Sequence, residues 1–433
     1  MSSENNRLVV VGAGVIGTAI AHEMQRRGRQ VTLVDRDTPG RGASFGNMAS
    51  IAVTEFMPAS RPSVWRQMPG WLMDPEGPIR VRPGYLPKLI PWFFRFLLAS
   101  RPAKLRELET QGAVLCARAL PDTQRLMREI GIADHITEQG CLSLYTDDAE
   151  FAADRDHIEI LERYGFAHEV LDGWALRELE PEITRKIGKA VLFPENRSLR
   201  DPYAYVCRLA EAFEGLGGQV VRAAVRGFDR AGDRQSVRLD DGQVLEAKQV
   251  VLCAGAFTAG LAKALGEPIP LETERGYHTQ IMAPGLSLRH SIIWPARAFM
   301  VTPTAGGIRV GGTVEMAGLD APPDYRRAKV TVKRAKEALP NLRVEQATEW
   351  MGHRPAFPDT VPLLSPSEKA PGVFYATGHG HLGLTYAATT ARLMGQLISG
   401  ETPDIDLQPY HIGRFSWAGK ADGSWMEGPI ERP

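Results

Sequence analysis

The chain has 433 residues, enough for two hydrophobic cores, and 43% of them are hydrophobic and 24% charged, as in an ordinary globular protein. Lysine plus arginine equals aspartate plus glutamate at 51 each, so the overall balance gives nucleic acid or another polyanion no general attraction. The four cysteines, Cys116, Cys141, Cys207 and Cys253, form no CxxC pair and no His/Cys cluster, which argues against a metal centre and against a disulfide framework.

In chain order, Arg7 to Asp35 reads as a strand, a glycine turn, a helix through Arg27 and a second strand, Val31 to Val34, which is a βαβ unit. The amino terminus passes from a short polar stretch straight into Leu8-Val9-Val10-Val11, without the basic-then-apolar layout of a secretory signal, so a cytoplasmic location is expected. Residues 59 to 100 are rich in proline and tryptophan and predict an irregular excursion. Within it, Leu86 to Ala99 is apolar and aromatic but too short to span a membrane. It reads either as a helix buried under a second domain or as a docking patch for a partner or for the inner face of the membrane.

A long helix is predicted from about Ala103 to Glu129, a strand over Cys141 to Tyr145, a helix over Asp148 to Tyr164 and a short one over Trp174 to Leu179. Asp201-Pro202 starts a helix running to Leu216, followed by the strand Gln219 to Ala224. A hairpin of Ser236 to Leu239 with Val244 to Ala247 precedes the strand Gln249 to Cys253. From Pro268 to Glu315 strand-like runs alternate with turns, the clearest pair being Phe299 to Thr302 with Ile308 to Val310, and predict an antiparallel sheet. A helix near Arg326 to Leu339 follows, then a Gly-, Pro- and His-dense segment from Glu349 to Gly400 that ends in a helix from about Thr385 to Ile398. The residues from about Ser416 read as a loosely held tail.

Gly12, Gly14 and Gly17 form GxGxxG between the first strand and helix, where the chain can approach a pyrophosphate and the helix amino terminus, beginning at Val15 and Ile16, faces its charge. Asp35 ends the next strand, where a carboxylate can accept hydrogen bonds from an adenosine ribose. Together they predict a dinucleotide site, and the fingerprint alone serves NAD and FAD equally.

Other segments discriminate. Val250 to Ala256 resembles the late strand and turn that close the nucleotide domain of FAD enzymes, and Ser44 to Ile51 resembles their loop beside the flavin. With Glu274-Arg275-Gly276-Tyr277, Gly311-Gly312-Thr313, Gly352-His353-Arg354-Pro355 and Gly378-His379-Gly380-His381-Leu382-Gly383, the chain from Arg7 to about Ile412 resembles the FAD-dependent D-amino acid oxidase superfamily. That superfamily includes glycine and sarcosine oxidases, and the likeness is nearest to bacterial D-amino acid dehydrogenases.

The resemblance implies an α/β fold with a discontinuous Rossmann-like FAD-binding domain (1–58, 198–266 and 346–415) and a second α+β substrate domain (59–197 and 267–345) on an antiparallel sheet, with 416–433 as a tail. FAD is expected to be noncovalent, because the position of a linking histidine is taken by Gly46. Implied cofactor contacts are Gly12, Gly14, Val15, Ile16, Gly17, Asp35, Arg36 beside the ribose, Ser44, Asn47, Met48, the backbone of Val225 beside adenine, Gly255, and the run Gly380, His381, Leu382, Gly383, Leu384 and Thr385.

Arg354 is the implied grip on a substrate carboxylate, the other reading being a surface salt bridge. His381 is placed near the substrate, although both it and His379 could be structural. Tyr277 and His278 are adjacent on one strand, so alternation lets only one of them face the flavin, and His278 is the choice. The tyrosines of eukaryotic D-amino acid oxidases have no counterpart near Trp294 to Phe299.

The expected reaction is hydride transfer from the α-carbon of a small amino acid, D-configured or proline-like, giving an imino acid and then a 2-oxo acid. Oxygen or a quinone-linked chain would take the electrons. The alternatives are a glycine, sarcosine or 2-hydroxy acid oxidase, or a flavin-carrying subunit without catalysis.

Overall fold

The computed structural model of the protein describes residues 6–232 and 234–416, so nearly all of the expected tail lies outside the described residues. Two large sheets organise the chain. The first has six strands in the order Leu363–Pro366, Val373–Thr377, Gln249–Leu252, Arg7–Val11, Gln30–Asp35 and Gln219–Arg222, all neighbours parallel except the outermost antiparallel pair. Its central strands are continuous apolar runs, because helices cover one face and a three-stranded meander, Val225–Ala231, Arg234–Leu239 and Val244–Ala247, packs near the other. Val15–Arg26 and Gly383–Ser399 lie side by side on this sheet, packing Ile20 and Met24 with Leu393 and Met394 against Leu8, Val10 and Leu33. Each such buried side chain contributes about 1.5–3 kcal/mol.

The second sheet has nine strands and is largely antiparallel. Its central pair is Glu272–Ile281 with Gly307–Met316, and Ala347–Ala356 lies along the outer edge of Glu272–Ile281 over ten residue pairs. Arg326–Ala338 packs beneath it, with Ala335 and Ala338 meeting Ile281, Ile292, Val301 and Val310. The strand Ser50–Ile51 pairs with Arg197–Ser198 where the chain leaves and re-enters the first sheet. In all, the chain crosses between the two sheets four times.

Several expectations change. The boundary expected at 346 moves past Ala356, because Ala347–Ala356 is hydrogen-bonded into the second sheet. The helix expected over 148 to 164 is two, Asp148–Ala153 and Arg155–Arg163, broken at Asp154. The excursion from 59 to 100 is not irregular: it holds the helices Pro62–Met73 and Leu86–Ala99 and the short strand Ile79–Val81, with proline opening each helix. Helix Leu86–Ala99 buries Leu89, Trp92, Phe96 and Ala99, and Trp92 Nε1 donates to the Ala356 carbonyl at 3.3 Å. Its outer face nevertheless exposes Leu86, Ile90, Phe94 and Leu97. Among the described residues no helix is long and apolar enough to cross a membrane.

Candidate active site

A cavity of about 940 Å³ is lined by residues of both sheets. At one end, Gly12 has φ +106°, and a Cβ there would stand 2.5 Å from the Cys253 carbonyl oxygen, so only glycine allows the first strand to turn this close to its neighbour. The helix that follows has no side-chain cap at Gly14, and its first amide, Val15 N, donates to Ser44 Oγ at 2.9 Å. Asp35 accepts from Ala13 N at 2.6 Å and from Asp37 N at 2.9 Å, leaving each carboxylate oxygen a further lone pair for a hydroxyl. Arg36 stacks over Phe257 at 3.9 Å, and Val225 and Gly255 line the same end.

Gly380, His381, Leu382, Gly383 and Leu384 form another wall, at the amino terminus of Gly383–Ser399, where helix N–H groups face the cavity. Asn47 and Met48 line it from the loop after Ser44. Gly17 and Thr385 do not line it. A Cβ on Gly17 would stand 1.8 Å from the Gly12 carbonyl oxygen, so that glycine allows helix and turn to touch, and Thr385 Oγ1 accepts from Ala52 N at 3.0 Å. A cavity of this size, with a helix amino terminus at each of two ends and a ribose-directed carboxylate, fits an FAD.

Between these ends the second sheet presents one face. Glu274, Gly276 and His278 alternate along one strand and stand opposite Arg354, Gly352 and Trp350 on the next. Gly276 is covered by the Arg354 guanidinium and Gly352 by the Trp350 ring, so both glycines give up their space to a neighbour's side chain. Arg354 makes one 3.3 Å hydrogen bond, to the Thr313 carbonyl; burial lowers its pKa, Glu274 opposes this, and a guanidinium remains charged. Glu274 Oε2 meets His381 Nε2 at 2.7 Å. Burial pushes the Glu274 carboxyl up, but the His381 hydrogen bond and the nearby Arg354 outweigh it and hold it below its ordinary range.

His278 Nδ1 bonds the Gly46 carbonyl at 2.8 Å, and its ring stacks on Trp350 with centroids 5.2 Å apart. Burial, then Arg309, drives its pKa down to about 3, so it is neutral at physiological pH. Tyr277 points through the opposite face of the sheet: its hydroxyl donates to Glu315 at 2.6 Å and accepts from Asp324 N at 3.0 Å. The residue borders the cavity, but these bonds engage its hydroxyl and give it the task of holding the strand. His379 is likewise turned into the core, against Thr390 Oγ1 at 3.0 Å.

The sequence of this chain matches the DAO model, FAD dependent oxidoreductase, over residues 7–397. The chain belongs to the FAD-dependent oxidoreductase family. FAD is therefore the cofactor of this oxidoreductase. It is 33% identical over 426 residues to a D-amino-acid oxidase of Bradyrhizobium diazoefficiens, covering 95% of this chain and 99% of the relative. A D-amino acid dehydrogenase of Rhizobium johnstonii is 28% identical over 419 residues, covering 94% and 100%. Among solved structures, a glycine oxidase from Geobacillus kaustophilus superposes with a TM-score of 0.72 at 20% identity, covering 95% of this chain and 100% of its own, which extends the likeness to the fold.

In this FAD-dependent oxidoreductase, sequence reasoning gave no role to Trp350, and it quoted Glu274 within its motif without assigning it one; both line the cavity. The signal available for both was position: each stands two or four residues from a glycine or arginine already singled out, and hence on the same face of its strand.

Proposed function

We infer that this enzyme oxidises a small amino acid, a D-amino acid by preference, to the imino acid, which hydrolyses to a 2-oxo acid. One observation carries the reading: Arg354 is a half-buried, charged guanidinium with one weak hydrogen-bond partner, lining the same cavity as the glycine turn at Gly12 and Gly14. A partly desolvated cation that makes one long hydrogen bond to a carbonyl and no closed ion pair has donors to spare, and a substrate carboxylate would engage them in bidentate form. The names of the relatives from Bradyrhizobium and Rhizobium support a D-amino acid as the molecule that brings it.

Bound in the cavity, FAD supplies the two-electron acceptor for hydride from the α-carbon. The chain's contribution is placement: Arg354 fixes the carboxylate, Trp350 and the neutral His278 form a water-poor wall, and the amides before Gly383–Ser399 face the cofactor. Noncovalent FAD is supported at Gly46, where even a Cβ would stand 2.3 Å from the Trp350 ring and a linking side chain has no room.

For the electrons we infer a quinone-linked acceptor at an anionic membrane surface. Leu86, Ile90, Phe94 and Leu97 repeat at helical spacing on the exposed face of one helix, and Arg66, Arg80, Lys88 and Arg101 are exposed in the same segment of an otherwise charge-balanced chain. Anaerobic mixing with D- and L-amino acids, proline analogues and 2-hydroxy acids tests the substrate reading. Bleaching of the flavin by D-amino acids is expected, and bleaching by 2-hydroxy acids alone would overturn it.

A further inference from the structure

Glu274 and Arg354 are directly opposed across two neighbouring strands, on the face that lines the cavity. Residues so placed have Cβ atoms about 4.5–5.5 Å apart, close enough for a carboxylate and a guanidinium to close into an ion pair. They do not. Glu274 is held by His381 at 2.7 Å, and the Arg354 guanidinium lies over Gly276 toward the Thr313 carbonyl. Two opposite charges are thus kept half-buried on one cavity wall, adjacent and apart, each secured by a third group. Such an arrangement is unfavourable unless something bearing both charges sits between them.

We propose that Glu274, positioned by His381, recognises the ammonium of the substrate while Arg354 takes its carboxylate, so that the site selects zwitterions over lone carboxylates and 2-hydroxy acids. This rests on the amino-acid reading above and adds the residue that enforces it. An α-amino acid carries both charges on one carbon, which matches one cross-strand pair. A 2-hydroxy acid satisfies Arg354 but brings Glu274 no ammonium partner, and a simple carboxylate meets its repulsion directly. His381 is 58% exposed on its side chain and lines the same cavity, and its hydrogen bond to Glu274 at 2.7 Å fixes the carboxylate.

The test compares two ligands on the FAD-loaded protein. Benzoate, which carries no amine, is titrated by its perturbation of the oxidised flavin spectrum, and KM is measured for the amino acid that reduces the wild-type flavin. In Glu274→Gln the two should move in opposite directions, benzoate binding tightening about tenfold and the amino acid KM rising about tenfold or more. Glu274→Asp, which keeps the charge, should retain the wild-type order of preference and serves if Glu274→Gln does not fold. Weakening of both ligands together marks Glu274 as structural and overturns the proposal, as does a shift of less than twofold in either. If no amino acid reduces the wild-type flavin, the amino-acid reading falls, while the benzoate titration still reports whether Glu274 opposes a lone carboxylate.

Discussion

Arg354 lies across Gly276, with its guanidinium carbon 2.3 Å from the point where a Cβ on that glycine would stand. The glycine therefore serves as the seat of the arginine. In Gly276→Ala the guanidinium must leave that seat, and KM for the substrate should rise at least tenfold, in the direction of Arg354→Ala, whose own loss is about 100-fold because a charge-assisted bidentate contact disappears. FAD should stay bound in both. Steady-state kinetics beside a flavin absorption spectrum checks this, and an unchanged KM in Arg354→Ala would refute the role given to the arginine.

Asp35 joins the first turn to the second strand through Ala13 N and Asp37 N, and its spare lone pairs face the nucleotide end of the cavity. Asp35→Ala removes both the local support and the ribose partner, so FAD affinity should fall by roughly ten- to a hundredfold. Fluorescence titration of the stripped protein with FAD gives the number. Full affinity would place the ribose elsewhere.

Three histidines are held neutral, His278 and His379 buried and His353 half-buried. His278 and His379 are driven to about 3 and His353 to about 4, with burial the largest cause in each. In the unfolded chain they titrate near 6.5, so below that pH the unfolded state binds more protons than the folded one. Stability present above pH 6.5 is lost as pH falls toward the folded values, by at most about 1.4 kcal/mol per pH unit for each site. Melting temperatures between pH 7 and 4.5 should show a shallower acid slope in His379→Asn than in the wild type. Parallel curves would mean that His379 is protonated in the folded state.

The exposed stripe on helix Leu86–Ala99 makes a separate claim. The protein should sediment with vesicles containing anionic lipid, less so at high salt, and not with neutral vesicles. Ile90→Asp with Leu97→Asp should abolish sedimentation while FAD remains bound. Equal recovery of wild type and variant in the pellet would leave the stripe without a membrane role.

The nucleotide half of the fold was legible because its signals are local. The strand, turn and helix around Gly12 and Asp35 are contiguous, and Asp201 caps its helix through Tyr203 N and Ala204 N. The substrate face was not. Ala347–Ala356 carries glycine and proline and shows no clean apolar alternation, since one of its faces lines a cavity rather than a core. Its identity as a strand comes from pairing with Glu272–Ile281 some seventy residues earlier. Trp350 and Glu274 gain their meaning only from that pairing. Prolines misled in the opposite direction between 59 and 100, where they open helices instead of ending them, and Pro69 and Pro91 are tolerated within.

The repeated passage of the chain between the two sheets also governs how the molecule can come apart. No single proteolytic cut releases either half as a continuous fragment, and neither could be grafted elsewhere as one uninterrupted gene segment. Every link between the halves has to give way before one can unravel alone, so heating should produce one joint collapse, with loss of the yellow colour at the same temperature as loss of helical signal.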